Sequence, residues 1–228
     1  MIKVPEPHAR MSLVLYESPL SSNAQKVRML FAELDLAYES REVAMFGIGT
    51  RDPEYLALNP FGLIPTLIDG EFVLQESNTI LRYIAETKGG EELYPRSPKL
   101  RANVDRMLDV LGCTFRPRVA PLERRRFANF PHGARDLEDE RKLEANVKLA
   151  LDGVDAILAD PASGGFATGP FSIADCAWTP TLRRLVEMEV SLAAHPKIHA
   201  WAEQVLSRPA WLRSKGPDLE LRAWIEPG

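Results

Sequence analysis

A chain of 228 residues, 45% of them hydrophobic, can bury one substantial core or two smaller ones, and length alone does not choose between them. A formal net charge of −4 supplies no basic field for a phosphate backbone, which argues against nucleic acid as a partner. No stretch approaches the roughly 18 apolar residues of a membrane span, and residues 1–10 carry two prolines and no apolar run, so no membrane association and no export signal are expected. The two cysteines, Cys113 and Cys176, lie far apart and in neither a CxxC nor a metal-ligand spacing, which points to a reducing, cytoplasmic setting without a metal site. The four histidines, His8, His132, His195 and His199, are scattered; the last two share a helical spacing without an acidic third ligand and read as surface helix residues. The densest cationic run, Arg124-Arg125-Arg126, is answered by the acidic residues 136–140 and reads as solvated surface.

Residues 12–16 form a short Leu- and Val-rich run ended by Glu17-Ser18-Pro19, the pattern of a buried parallel strand entering a loop. Val27, Leu30, Phe31 and Leu34 then recur at helical spacing and predict a helix over 22–34. A second strand is expected at 38–43 and a single helical turn at 53–58. The apolar pair 66–68 and 72–74, flanking Asp69-Gly70, carries a strong hairpin signal. A helix over 78–87 follows, so this half reads as an α/β domain with a mixed sheet.

Strand signals stop beyond Lys88-Gly89-Gly90 and the proline-rich 94–98. Leu100, Val104, Met107, Leu108 and Leu111 mark a helix broken near Pro117 and Pro121. Leu143, Val147, Leu151, Val154 and Leu158 mark another, and 173–188 and 196–206 supply two more. Two domains are therefore expected, an α/β unit over 12–89 and an all-helical unit over 97–215.

Three segments carry candidate chemistry. In Asn59-Pro60-Phe61-Gly62-Leu63-Ile64-Pro65-Thr66-Leu67 a proline directly precedes a hairpin strand; a cis Ile64-Pro65 bond would turn the Ile64 main chain outward to pair with a ligand, whereas a trans bond would be an ordinary loop. In Gln75-Glu76-Ser77, Ser77 reads as the N-cap of the next helix, whose free amides suit a carboxylate while Glu76 suits an ammonium. In Ser18-Pro19-Leu20-Ser21-Ser22-Asn23, hydroxyls and an amide open the first helix, either as caps or as donors to an anion. No base lies nearby and no GxSxG elbow occurs, so a serine hydrolase is poorly supported.

With these three segments in this order, the chain resembles the cytosolic glutathione transferase superfamily, in particular its serine-type bacterial, theta- or phi-like members. LYESPLSSN is similar to the serine-class entry to the active site, NPFGLIPTL to the family's proline motif, and QESNTILRYIA to its glutamyl-binding helix. A fourth match, Phe171-Ser172-Ile173-Ala174-Asp175, is similar to the family's buried capping box, with Ser172 and Asp175 answering one another and Phe171 able to staple to Cys176. The resemblance spans about residues 13–211 and implies a thioredoxin-like α/β N-terminal domain, an all-α C-terminal domain, glutathione as co-substrate, a small-molecule electrophile and a homodimer.

The resemblance assigns thiol activation to Ser21, main-chain pairing with the cysteinyl part to Ile64 and Pro65, the glutamyl end to Glu76 and Ser77, and the glycyl carboxylate to Arg51. Ser22 and Asn23 stay open as alternative donors, because cysteine-type members place their cysteine where Ser22 aligns; isomerase-like members read Ser-Ser-Cys against Ser21-Ser22-Asn23 here. Leu63 stands where many members carry Gln or Lys, which favours a glutathione-transferase-like binding or regulatory protein without turnover as a rival to a transferase, and a glutathione-dependent isomerase or dehalogenase is a second rival. Leu108, Leu111, Phe115 and Trp178 are candidates for the electrophile pocket and equally for the core. Ser22 is expected to cap the first helix while Ser21 faces the sulfur.

Overall fold

The computed structural model describes residues 13–45, 49–128, 136–160 and 165–221. Four strands, β1 (Leu13–Glu17), β2 (Tyr38–Glu42), β3 (Thr66–Asp69) and β4 (Phe72–Leu74), form one sheet in the order β2-β1-β3-β4. β1 runs parallel to β2 and antiparallel to β3, and β3 pairs antiparallel with β4. A parallel pair needs a crossover, which α1 (Ser22–Glu33) supplies. The central position of β1 explains its unbroken apolar run, while the edge strand β2 is largely exposed and reads Tyr-Glu-Ser-Arg-Glu. The hairpin forms one residue later than the sequence suggests: Asp69 pairs with Phe72, so Gly70 and Glu71 make the loop, and Gly70 takes φ +63°, which a glycine adopts without a Cβ clash.

α2 (Pro53–Leu58) follows a 3-10 turn at Gly49–Arg51, and α3 (Ser77–Thr87) leaves the hairpin. Helices then continue as α4 (Pro98–Asp109), α5 (Arg116–Arg126), α6 (Leu137–Leu158), α7 (Ile173–Glu187), α8 (Pro196–Leu206) and α9 (Pro209–Ser214). The expected break near Pro117 and Pro121 does not occur. A π-helical stretch, Val110–Phe115, joins α4 to α5, with the Arg116 N–H bonded to the Leu111 carbonyl; Pro117 follows directly after this stretch and Pro121 is carried inside α5.

The main core runs from the sheet into the helical half, joining Leu15, Leu67 and Ile80 to Phe115, Trp178 and Trp201, and a smaller separate cluster is formed by Val43, Tyr55 and Ile64. α1 packs against α3 on one side and α7 and α9 on another. The helix is therefore buried around most of its circumference, at Ser22, Gln25 and Lys26 as well as at Val27, Leu30 and Phe31. Arg125 pairs with Asp139 and Arg126 with Glu140 and Glu144, so part of the cationic run ties α5 to α6 instead of lying free in solvent. His195 departs from the surface reading: it is 3% exposed and its Nε2 lies 2.7 Å from Asp152 Oδ1, whereas His199 is exposed. His8 and His132 lie outside the described residues.

The capping box that opens α7 is present, and its carboxylate does more than cap. Asp175 Oδ2 accepts from the Ser172 amide at 2.8 Å and the Ser172 hydroxyl at 3.0 Å, while Oδ1 accepts from the Ala167 amide at 2.9 Å and Trp201 Nε1 at 2.8 Å. One acid thus binds α7, the preceding loop and α8. Phe171 meets the Phe166 ring and the Arg208 guanidinium, 3.6 Å above its face, and packs against the core that contains Cys176.

Candidate active site

The proline segment is held as a rigid shelf. Asn59 ends α2 and is 2% exposed; its Oδ1 accepts from the Phe61 amide, and its Nδ2 donates to the Leu63 carbonyl at 2.7 Å and to Thr66 Oγ1 at 3.1 Å. Tyr55 donates from below to the same Leu63 carbonyl at 2.6 Å. Gly62 turns the chain at φ +60°, with a hypothetical Cβ only 2.6 Å from the Thr50 carbonyl and 3.3 Å from Arg51 Nη1. Glycine is required there on both counts. Arg51 is exposed and lies against this turn. The Ile64-Pro65 peptide is cis, as the motif suggested.

Beside the shelf, Gln75 Nε2 donates to the Leu58 carbonyl and α3 begins. Its N-cap is Glu76, not Ser77: Glu76 takes φ +66°, no side chain caps the helix, and Ser77 is the first helical residue. The first amides of α3 are consequently left without a side-chain partner from their own cap, and the glutamate is held in the left-handed region, which non-glycine residues rarely adopt. A shallow, open cleft is lined by Asn23, Asn59, Leu63, Ile64, Pro65, Glu76 and Ser77.

At the other end of the cleft the start of α1 departs from expectation. Ser21, not Ser22, is the N-cap, its Oγ accepting from the Ala24 amide at 3.3 Å, and Ser22 is the first helical residue. The two roles supposed to be divided between neighbouring serines are compatible in one: an Oγ lone pair can receive the amide while the hydroxyl proton is donated elsewhere. Ser21 and Ser22 are 6% and 5% exposed and do not line the cleft, whereas the exposed Asn23 does.

The loop leading to Ser21 is anchored from the helical half. Arg184 on α7 donates to the Leu20 carbonyl at 2.6 Å and to Glu123 Oε2 at 2.8 Å, and Glu123 also binds Arg116. Burial opposes ionisation of Glu123, but the two guanidiniums outweigh it and leave its carboxyl below the usual range. Sequence periodicity gave no reason to single out these three charges: Arg116 and Glu123 share α5, but Arg184 reaches Glu123 from 61 residues away.

The proposed electrophile quartet is core. Leu108, Leu111, Phe115 and Trp178 are all 0% exposed; Trp178 packs 4.8 Å from Phe115 and 5.4 Å from Trp201, and its Nε1 donates to the Met107 carbonyl. Helical periodicity marks an apolar face and does not distinguish a filled core from an open pocket. The exposed part of the π stretch is Gly112, Cys113 and Thr114, and a Cβ at Gly112 would lie 3.7 Å from Asn78 Nδ2 at the start of α3.

Comparison with known proteins agrees with this geometry. The family described as glutathione S-transferase, N-terminal domain, matches residues 15–92, and glutathione S-transferase, C-terminal domain, matches residues 91–204. The chain belongs to the glutathione S-transferase family. Glutathione S-transferase 3 of Zea mays is 33% identical over 208 residues, covering 89% of this chain and 92% of the relative. Glutathione S-transferase GstB of Escherichia coli strain K12 is 31% identical over 198 residues, covering 83% and 91%. Among solved structures, the theta class glutathione S-transferase of Xanthomonas axonopodis pv. citri with glutathione bound is similar with a TM-score of 0.79 at 32% identity, covering 90% of this chain and 97% of that one. Family membership accounts for the sheet of mixed direction followed by helices, and the glutathione transferase fold is the fold of this chain. Among the described residues no helix is long and apolar enough to cross a membrane.

Proposed function

We propose that this protein is a glutathione transferase that lowers the pKa of the glutathione thiol and delivers the thiolate to an apolar electrophile. The observation that carries the reading is the single cleft in which Ile64 and Pro65 on one wall meet Glu76 and Ser77 at the uncapped start of α3, with Asn23 at the start of α1. In this reading the Ile64 main chain pairs with the cysteinyl part, the α3 amides receive the glutamyl carboxylate, and Glu76 receives the ammonium. Arg51, beside the Gly62 turn, is within the same loop cluster and serves the glycyl carboxylate.

The sulfur then falls toward the start of α1, where Ser21 donates its hydroxyl proton and Asn23 adds an amide donor. A free thiol has pKa about 8.5, and each unit of depression requires about 1.4 kcal/mol of preferential thiolate stabilisation. One hydrogen bond to a charged acceptor, worth about 1.5 to 3 kcal/mol, together with a helix N-terminus worth about 0.3 to 1 kcal/mol, is the right size to bring the thiol near neutrality. With the apolar quartet sealed in the core, the electrophile meets the thiolate on the side of the exposed π stretch, Gly112 to Thr114. We further propose a cytoplasmic homodimer acting in detoxification, since symmetric dimers are the commonest assembly.

Leu63, 58% exposed on the cleft wall, offers glutathione no polar side chain, and this favours a second reading as a glutathione-binding protein without turnover. Retention on immobilised glutathione, measured together with conjugation of a generic aryl halide, separates the two. Retention with conjugation supports the transferase; retention without it, across a panel that includes isomerisable and halogenated substrates, supports the binding protein; failure of both overturns the assignment of the cleft.

A further inference from the structure

Helix α1 buries a lysine directly behind the glutamyl end of the cleft. Lys26 is 4% exposed, and its Nζ donates to Asn78 Oδ1 at 3.1 Å. Asn78 follows Ser77 and stands two residues from Glu76, whose backbone occupies the left-handed region. The opposite end of the Asn78 amide is also engaged, Nδ2 donating to the Leu108 carbonyl on α4 at 3.0 Å. The carboxamide is therefore clamped on both sides, by a cation from α1 and by a carbonyl of the helical half, and its orientation is determined by those two partners.

A buried ammonium is costly, and an apolar residue of similar volume would commonly serve stability as well or better. Its partners say what it can do there. The charged groups that face it are Glu76 at the start of α3, which attracts it, and Arg116 on α5, which repels it; Arg116 is itself bound to Glu123, and Glu123 to Arg184 of α7. Burial first, and Arg116 second, push the Lys26 ammonium down to about 7, while Glu76 opposes the change.

We propose that Lys26 is a positioning residue for the glutamyl end of glutathione: by gripping Asn78 it fixes the Glu76-Ser77 turn, and its positive charge behind that turn favours a ligand of net negative charge. The inference rests on the reading of Glu76 and Ser77 as the glutamyl site. Glutathione carries two carboxylates and one ammonium, so even with its thiol blocked it brings a charge of −1 into the cleft. The protonated lysine attracts such a ligand and the neutral amine does not. By linkage, binding draws a proton onto Lys26, and affinity declines as pH rises through about 7.

The test is the Kd of S-methylglutathione, whose blocked thiol removes the other titration expected in this range, measured by calorimetry on the full chain between pH 6 and 8.5. Wild type should weaken by roughly five- to tenfold across that range. Lys26→Arg should hold the wild-type pH 6 affinity throughout, and Lys26→Met should bind weakly with a flat profile. In turnover, Lys26→Met should raise KM for glutathione with little change in kcat, a split that general loss of folded protein would not produce. A flat wild-type profile, or a Lys26→Met protein that keeps the wild-type profile, overturns the role of Lys26; if Lys26→Met does not fold, the wild-type profile against that of Lys26→Arg decides. Failure of wild type to bind S-methylglutathione at all overturns the cleft assignment and this inference with it.

Discussion

Replacing Ser21 tests the chemistry and the local structure at once, because the same oxygen caps α1 and is assigned the thiol. Its Oγ receives the Ala24 amide at 3.3 Å, longer than the usual 2.9 to 3.0 Å for such bonds, so the cap belongs at the weak end of the range, about 0.5 to 1 kcal/mol. In a chain of 228 residues a loss of 1 kcal/mol lowers Tm by about 2 to 4 °C. The hydroxyl proton, donated to a thiolate, contributes about 1.5 to 3 kcal/mol, which equals about one to two pKa units. Ser21→Ala should therefore lower Tm by a few degrees and raise the pKa of bound glutathione by one to two units, read by ultraviolet thiolate absorbance and by the pH midpoint of conjugation. Ser21→Gly separates the effects, since glycine costs only a few tenths of a kcal/mol at an N-cap while removing the hydroxyl. Ser22→Ala should change neither quantity appreciably, as Ser22 is not the cap. A thiol pKa that ignores both Ser21 substitutions and moves with Asn23→Ala would refute the assignment and transfer the role to the amide lining the cleft.

Glu76→Gln removes the charge assigned to the ligand ammonium and should weaken S-methylglutathione by roughly ten- to a hundredfold, from a charge-assisted bond of about 1.5 to 3 kcal/mol, while Tm changes little at this exposed position. Asp175→Ala leaves the Ala167 and Ser172 amides and Trp201 Nε1 without their acceptor and should cost about 3 kcal/mol or more in denaturant unfolding, with loss of α8 docking visible in Trp201 fluorescence. Glu123 has its folded pKa below its unfolded value, so its stabilisation is present above the ordinary carboxylate range and is lost as pH falls through the folded pKa. Glu123→Gln should be less stable at pH 7 by about 3 to 5 kcal/mol, through uncompensated Arg116 and Arg184, and should lose proportionately less on acidification; an acid limb identical to wild type in urea unfolding would contradict this.

Much of this protein is legible from short-range chemistry. The Gly70 turn, helical periodicity in Leu143 to Leu158 and the Ser172–Asp175 box act over a few residues, and the strands, α1, α7 and α8 formed within one or two positions of where those signals put them, while α6 starts six residues before Leu143 and Pro117 and Pro121 did not break their helix. The proline motif and the Gln75-Glu76-Ser77 segment likewise announced themselves, and the fold brings Ile64, Pro65, Glu76 and Ser77 to one cleft. Tertiary packing decided the rest. Periodicity marked Leu108, Leu111, Phe115 and Trp178 as an apolar face, but only the arrival of neighbouring helices made them sealed core. Which of two adjacent serines caps α1 depends on where the chain leaves the strand, and the ligand-facing role of either depends on a wall contributed by α3. His195 reads as a surface residue along the chain, and nothing there marks Lys26, because burial of a polar group is set by elements far away in sequence, α6 for the histidine and α3 for the lysine. Charge placed in such surroundings takes its energy from desolvation and from partners across the fold, and neither quantity exists until the helices are packed.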